Sequence, residues 1–220
     1  MIEALQVPVS TKPFDNFVLY KNKNFDLLPG ITSLVGCNGS GKSTFIGSFL
    51  LPYLNKHDIE HIDWNDRQKG GHNLMERFLH VDNNIEGLAT MALSSEGERI
   101  VHGISDVLPR IGHKVRNSDG EPLVVTFDAI DSGMSVDEII EIRDLCLDVI
   151  LPDAEKYGTP LFIVIAANNY EWCNDPRIHN INITTGKQMK INSYDDFKEA
   201  ILKSRATKEK SRKDFYGDEE

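Results

Sequence analysis

The stretch GCNGSGKST at 36–44 constrains this chain more than any other. It follows an apolar run, ITSLVG at 31–36 with Pro29-Gly30 as the turn before it, and opens KSTFIGSFLLPYL. There Phe45, Ile46, Phe49 and Leu50 recur at the spacing of a helix packed on a sheet, until Pro52 disturbs the pattern. The order strand, glycine loop, helix is what the pattern G-x-x-x-x-G-K-S/T needs. Glycines at 36, 39 and 41 let the backbone wrap so that its N–H groups converge on phosphate oxygens, and the helix adds its positive end. Lys42 then reaches the β and γ phosphates, while the Ser43 hydroxyl, with Thr44 beside it, suits Mg²⁺. ATP with Mg²⁺ is the ligand this pattern predicts.

The rest of the chain supplies more strands and helices in alternation. NFVLY at 16–20 reads as a strand. The polar stretch 56–92 is nearly unreadable, with Gly70-Gly71 its clearest break. A helix is expected over 96–108, a turn-rich link over 113–121, and a buried strand in PLVVTFD. Ser135, with Glu138 three positions on, makes a capping box for the next helix, and LFIVIAA at 161–167 is the next strand. Ser193 caps a last helix that turns basic through Lys203, Arg205, Lys208, Lys210, Arg212 and Lys213. This alternation predicts an α/β fold, a mainly parallel sheet covered by helices.

Composition excludes several classes. With 220 residues and a formal charge of -10, the chain is long enough for one large domain and too acidic to coat nucleic acid by bulk charge. The apolar runs are shorter than a membrane helix needs and the N-terminus lacks a signal-peptide pattern, so no membrane partner and a cytoplasmic location are expected. Cys37, Cys146 and Cys173 form no C-x-x-C pair and are expected to be reduced. His57 and His61 have i, i+4 spacing but no third ligand, and read as a solvated helix face.

The full loop string, with Asn38 and Ser40, resembles that of ATP-binding-cassette (ABC) ATPases. SSEGE at 94–98 is similar to the signature loop of that family, with Ser95, Gly97 and Glu98 in matching places and Glu96 departing from it. DAIDSGMS at 128–135 resembles the Walker B and D-loop segment of the SMC, RecF and OLD-like branch, which serves DNA repair and phage defence. Asp128 then holds the Mg²⁺ through its water shell, and Asp131, Ser132, Gly133 and Met134 fit the D-loop. Position 129 departs, because the family has a catalytic glutamate where this chain has Ala129. Asn168, with Asn169 beside it, stands at the switch position, where the family usually has histidine, and Gln68 at the Q-loop, which the resemblance makes a contact to the metal and its water.

The resemblance implies an ATP-bound homodimer, head to tail, each copy's Ser95 and Gly97 completing the other's site, with hydrolysis controlling a partner such as a nuclease, another effector, or DNA held by the basic helix at 198–213. It implies an ABC-type ATPase domain over 1–195, with a small helical lobe at roughly 55–110, and a basic helix with an acidic tail over 196–220. The interval between Lys42 and Ser95 leaves no room for coiled-coil arms. Tyr20 is a candidate to stack on adenine, as an upstream aromatic does in transporter ATPases. Ala129 has two explanations, a natural switch with little turnover or a deliberate replacement that traps the ATP-bound state, and the intact phosphate loop favours the second. The rival functions are a non-hydrolysing ATP-sensing module and the ATPase subunit of a membrane transporter.

Overall fold

In the computed structural model, residues 3–14, 17–65, 96–131, 133–166 and 168–216 are described. Their centre is a six-stranded sheet in the order β4-β5-β6-β3-β7-β8. Its strands are β3 (Gly30–Val35), β4 (Glu60–Asn65), β5 (Leu123–Asp128), β6 (Leu161–Ala166), β7 (Ile178–Asn182) and β8 (Lys187–Met189). All neighbours run parallel except β7 and β8. Two short strands, β1 (Leu5–Pro8) and β2 (Asn24–Leu27), pair antiparallel in a sheet of their own. The α/β class expected from alternating patterns is the class observed.

Strands β5 and β6 are buried along their whole length, as mainly apolar runs covered on both faces must be. Side chains alternate between two cores. Val125, Phe127, Ile163 and Ile165 point to α3 (Glu96–Arg116), α4 (Val136–Leu145) and α5 (Leu151–Tyr157). Val124, Phe162 and Val164 point to α1 (Lys42–Phe45), α2 (Leu51–Lys56) and the β1–β2 pair. At about 1.5–3 kcal/mol for each large apolar side chain removed from water, these layers fix the sheet rigidly beneath the loops it carries.

Both helical arms contain a π turn, Ile46–Leu50 between α1 and α2 and Cys146–Ile150 between α4 and α5. Pro52 and Pro152 explain them. Proline has no N–H and its ring crowds the carbonyl four residues back, so a wider turn just before it lets the helix continue. The disturbance expected at Pro52 is therefore a change of winding.

Several local expectations fail for identifiable reasons. Residues 18–20 form no strand; Phe17 makes only an isolated bridge to Phe14. Helix α3 continues past Pro109 to Arg116, because Ile104, Val107, Ile111 and Val115 keep one buried stripe through the polar-looking 113–116. His61 lies on β4 and His57 at the end of α2, so the pair shares no helix face. Strand β4 itself escaped reading because only Ile62 and Trp64 face inward, while Asp63 accepts a hydrogen bond from the Thr126 hydroxyl at 2.6 Å.

The last helix, α6 (Tyr194–Tyr216), starts as expected, with the Asp196 N–H donating to Ser193 Oγ at 3.2 Å. Phe197 and Ala200 on its first half pack with Val35, Cys173 and Ile191. Among the described residues, no helix is long and apolar enough to cross a membrane.

Candidate functional site

Three loops leave the carboxyl ends of β3, β5 and β6, and the site lies where they meet. In parallel α/β sheets such a crevice is the ordinary place for a ligand. It holds a cavity of about 890 Å³, walled by the glycine loop, Asp128, Ala129, Asp131 and Asn168 on its polar side and by Phe14, Phe17 and Leu19 on the other.

The glycine loop is shaped by close approach. Gly36 sits where an added Cβ would lie 2.5 Å from both Ile183 Cγ2 and Ser40 Oγ. Gly41 has φ +101°, and a Cβ there would meet Leu19 and Tyr20. Helix α1 begins at the next residue, Lys42. Lys42 Nζ donates to the Gly36 carbonyl at 2.7 Å, the Cys37 carbonyl at 3.4 Å and Asn168 Oδ1 at 2.9 Å. Burial pushes this ammonium below its ordinary pKa, while the nearby carboxylates of Asp131 and Asp128 act the other way. An anionic ligand entering the cavity meets a desolvated cation already aimed along the loop.

Ser43 Oγ donates to Asp128 Oδ1 at 2.9 Å, so the sheet brings together the hydroxyl and carboxylate predicted to serve Mg²⁺. Both are hard oxygen donors of the kind that Mg²⁺ takes directly or through water. Asn65 adds a contact that sequence reasoning missed, Nδ2 to Asp128 Oδ2 at 3.1 Å. The structure sets it at the end of β4, opposite Asp128 in the register. Among the described residues, no group of three or more His, Cys, Asp or Glu side chains could hold a metal on its own.

Ala129 stands in the left-handed region at φ 59° and lines the cavity, while its N–H donates to the Ala166 carbonyl at 3.0 Å. Asp131 clamps the turn after β6. Its Oδ2 accepts the N–H groups of both Asn168 and Asn169 at 2.6 Å. The two asparagines divide the work: Asn168 meets Lys42, and Asn169 Oδ1 accepts from the Glu171 N–H at 3.0 Å, capping the turn Tyr170–Trp172. Arg143 of α4 holds that turn through Glu171 Oε2 at 3.0 Å. Replacing Asp131 with alanine is expected to lower stability by about 1–2 kcal/mol, since one of the two amides it serves faces solvent and can turn to water. Urea unfolding measures it; an unchanged midpoint would mean that the clamp contributes nothing.

Tyr20 does not face the cavity. It is fully buried and its hydroxyl donates to the Gly41 carbonyl at 2.7 Å, so it braces the loop from beneath; burial raises its pKa. The aromatic lining of the cavity belongs to Phe14, which is exposed, and Phe17, which is half-buried. Cys37, Cys146 and Cys173 are free and buried, and burial pushes the thiols of Cys146 and Cys173 up to about 12, which rules them out as thiolate nucleophiles near neutral pH.

Of the signature residues, Gly97 and Glu98 fall in the first turn of α3, while Ser95 lies outside the described residues, as do Gln68 and Ser132.

No protein-family description matches this sequence, and no curated protein does. Among solved structures, the chain is similar to a nucleotide-free ATP-binding cassette from an ABC transporter, at 12% identity and a TM-score of 0.44, over 90% of this chain and 95% of that one.

Proposed function

We propose that this chain is an ABC-type ATPase that binds ATP with Mg²⁺ in the cavity at the ends of β3, β5 and β6. The observation that carries this reading is the meeting of Lys42, Ser43, Asp128 and Asn168 on one wall of a cavity of about 890 Å³. ATP's phosphates take the place of the carbonyls that Lys42 now holds, and the amide of Asn168 keeps one hydrogen-bonding contact at the γ end. Ser43 and Asp128, the latter oriented by Asn65, hold the Mg²⁺, which neutralises phosphate charge when bound. The base packs against Phe14 and Phe17.

The same reading places the chain with the compact SMC, RecF and OLD-like ATPases. Two copies close head to tail, and the start of α3, with Ser95, Gly97 and Glu98, faces the ATP of the other copy. Opening of that dimer controls a nuclease, another effector or DNA. Titration calorimetry and gel filtration test this together. The chain is expected to bind ATP with Mg²⁺ and to dimerise only in its presence, and Lys42→Ala is expected to abolish both. A chain that stays monomeric with ATP bound contradicts the dimer, and one that binds no ATP contradicts the whole reading.

Ala129 favours a second reading, in which ATP acts as a ligand that is sensed and never cleaved. There the dimer would form and open by exchange of nucleotide alone.

A further inference from the structure

The face of α6 that runs past the site has residues at 204, 208, 211 and 215, the i, i+4, i+7, i+11 stripe of one helix side. Lys208 and Phe215 meet residues that line the nucleotide cavity, and Ser204 meets the glycine loop beside them. Ser204, 2% exposed, accepts the Cys37 N–H at 3.2 Å. Lys208 Nζ donates to the Asn38 carbonyl at 2.9 Å, and lies 3.6 Å from where a Cβ on Gly39 would stand. Phe215 packs edge-on against Phe17, with ring centroids 5.9 Å apart. Between helix and loop is a gap of only about 10 Å³ whose walls include Ser40, Thr184, Thr207, Lys208 and Ser211.

These contacts have a common sense. A phosphate-binding loop works when its inward N–H groups converge, which requires its outward polar groups to be held elsewhere. The Asn38 carbonyl and the Cys37 N–H are such groups, and α6 holds both, one of them with a cation. Five of the six basic residues first read as a patch on this helix remain on its outer surface; Lys208 is the exception, turned to the loop.

We infer that α6 is a working part of the nucleotide site, with Lys208 and Ser204 as positioning residues that set ATP affinity without touching ATP. The inference rests on the ATP-binding reading above. By reciprocity, whatever α6 does for ATP, ATP does for α6: bound nucleotide must strengthen docking of the helix's second half.

The test uses the full chain with ATP and Mg²⁺, followed by calorimetry and hydrogen exchange. Lys208→Ala is expected to weaken ATP binding by up to about fivefold, the net worth of one hydrogen bond, and Lys208→Arg to restore it. In the parent chain ATP is expected to slow amide exchange over residues 204–215, and in Lys208→Ala to slow it less. If the parent binds ATP but Lys208→Ala binds it equally well, or if ATP leaves exchange in α6 unaltered, the inference fails while the ATP reading stands. If the parent does not bind ATP, both fail. Because the exchange measurement needs only the parent chain, a variant that fails to fold leaves the test intact.

Discussion

Ala129→Glu is expected to raise steady-state ATP turnover by on the order of 10²- to 10⁴-fold over the parent chain, the usual contribution of a positioned general base. The cavity has two carboxylates among its described lining residues, and each is engaged in holding structure. Asp128 meets Ser43 and Asn65; Asp131 takes two backbone amides. Residue 129 also lines the cavity, directly after Asp128, and the proposed reading puts the general base at that position. Its left-handed backbone, φ 59°, costs any L-residue with a Cβ about 1–2 kcal/mol, so glutamate in place of alanine adds little local strain. Phosphate release measures the outcome, with Lys42→Ala combined with the glutamate as the dead control. Turnover in the glutamate variant that the control lacks supports an enzyme whose base is missing. A variant as silent as its control leaves the chain a nucleotide sensor and removes hydrolysis from the proposal.

The elements that frame that site were legible wherever local chemistry forces sequence. A loop approached closely by its neighbours needs glycines, a buried parallel strand needs a mainly apolar run, and a helix start needs a cap; each showed at 36–44, 123–128, 161–166 and Ser135. What escaped reading depends on the tertiary partner. Tyr20 looked available as an aromatic platform, yet the Gly41 carbonyl claims its hydroxyl and the fold buries its ring. Asn65 and β4 were hidden because four of that strand's six residues are polar, two of them meeting polar partners on β5. Lys208 read as one charge in a basic run, and only the packing of α6 across the loop distinguishes it. Periodicity reports which face of an element is buried, and says little about what a polar residue on the border of that face will meet.

Gly36→Ala is expected to damage the site severely, and Gly47→Ala a few residues on to do the opposite. At Gly36 the new Cβ would lie 2.5 Å from Ile183 Cγ2 and Ser40 Oγ and 3.2 Å from Ser204 Oγ, where carbon atoms prefer about 3.5–4.0 Å. Ile183 cannot yield easily, being fully buried, with its N–H donating to the Val35 carbonyl at 3.0 Å. The loop must therefore move outward. The expected result is a loss of about 1–3 kcal/mol in stability from overpacking, and a fall in ATP affinity on the order of 10²-fold if the phosphate-facing amides shift by about 1 Å. Gly47 is exposed in the π turn, and a Cβ there meets nothing within 4 Å. Alanine at that position restricts the unfolded chain without a clash, which is worth about 0.4–1 kcal/mol of added stability and leaves ATP binding as it was. Thermal unfolding and calorimetry on the two variants separate a glycine required by close approach from one that merely occupies a turn. Equal behaviour of the pair would mean that the contact between the loop and Ile183 is not what shapes the phosphate site.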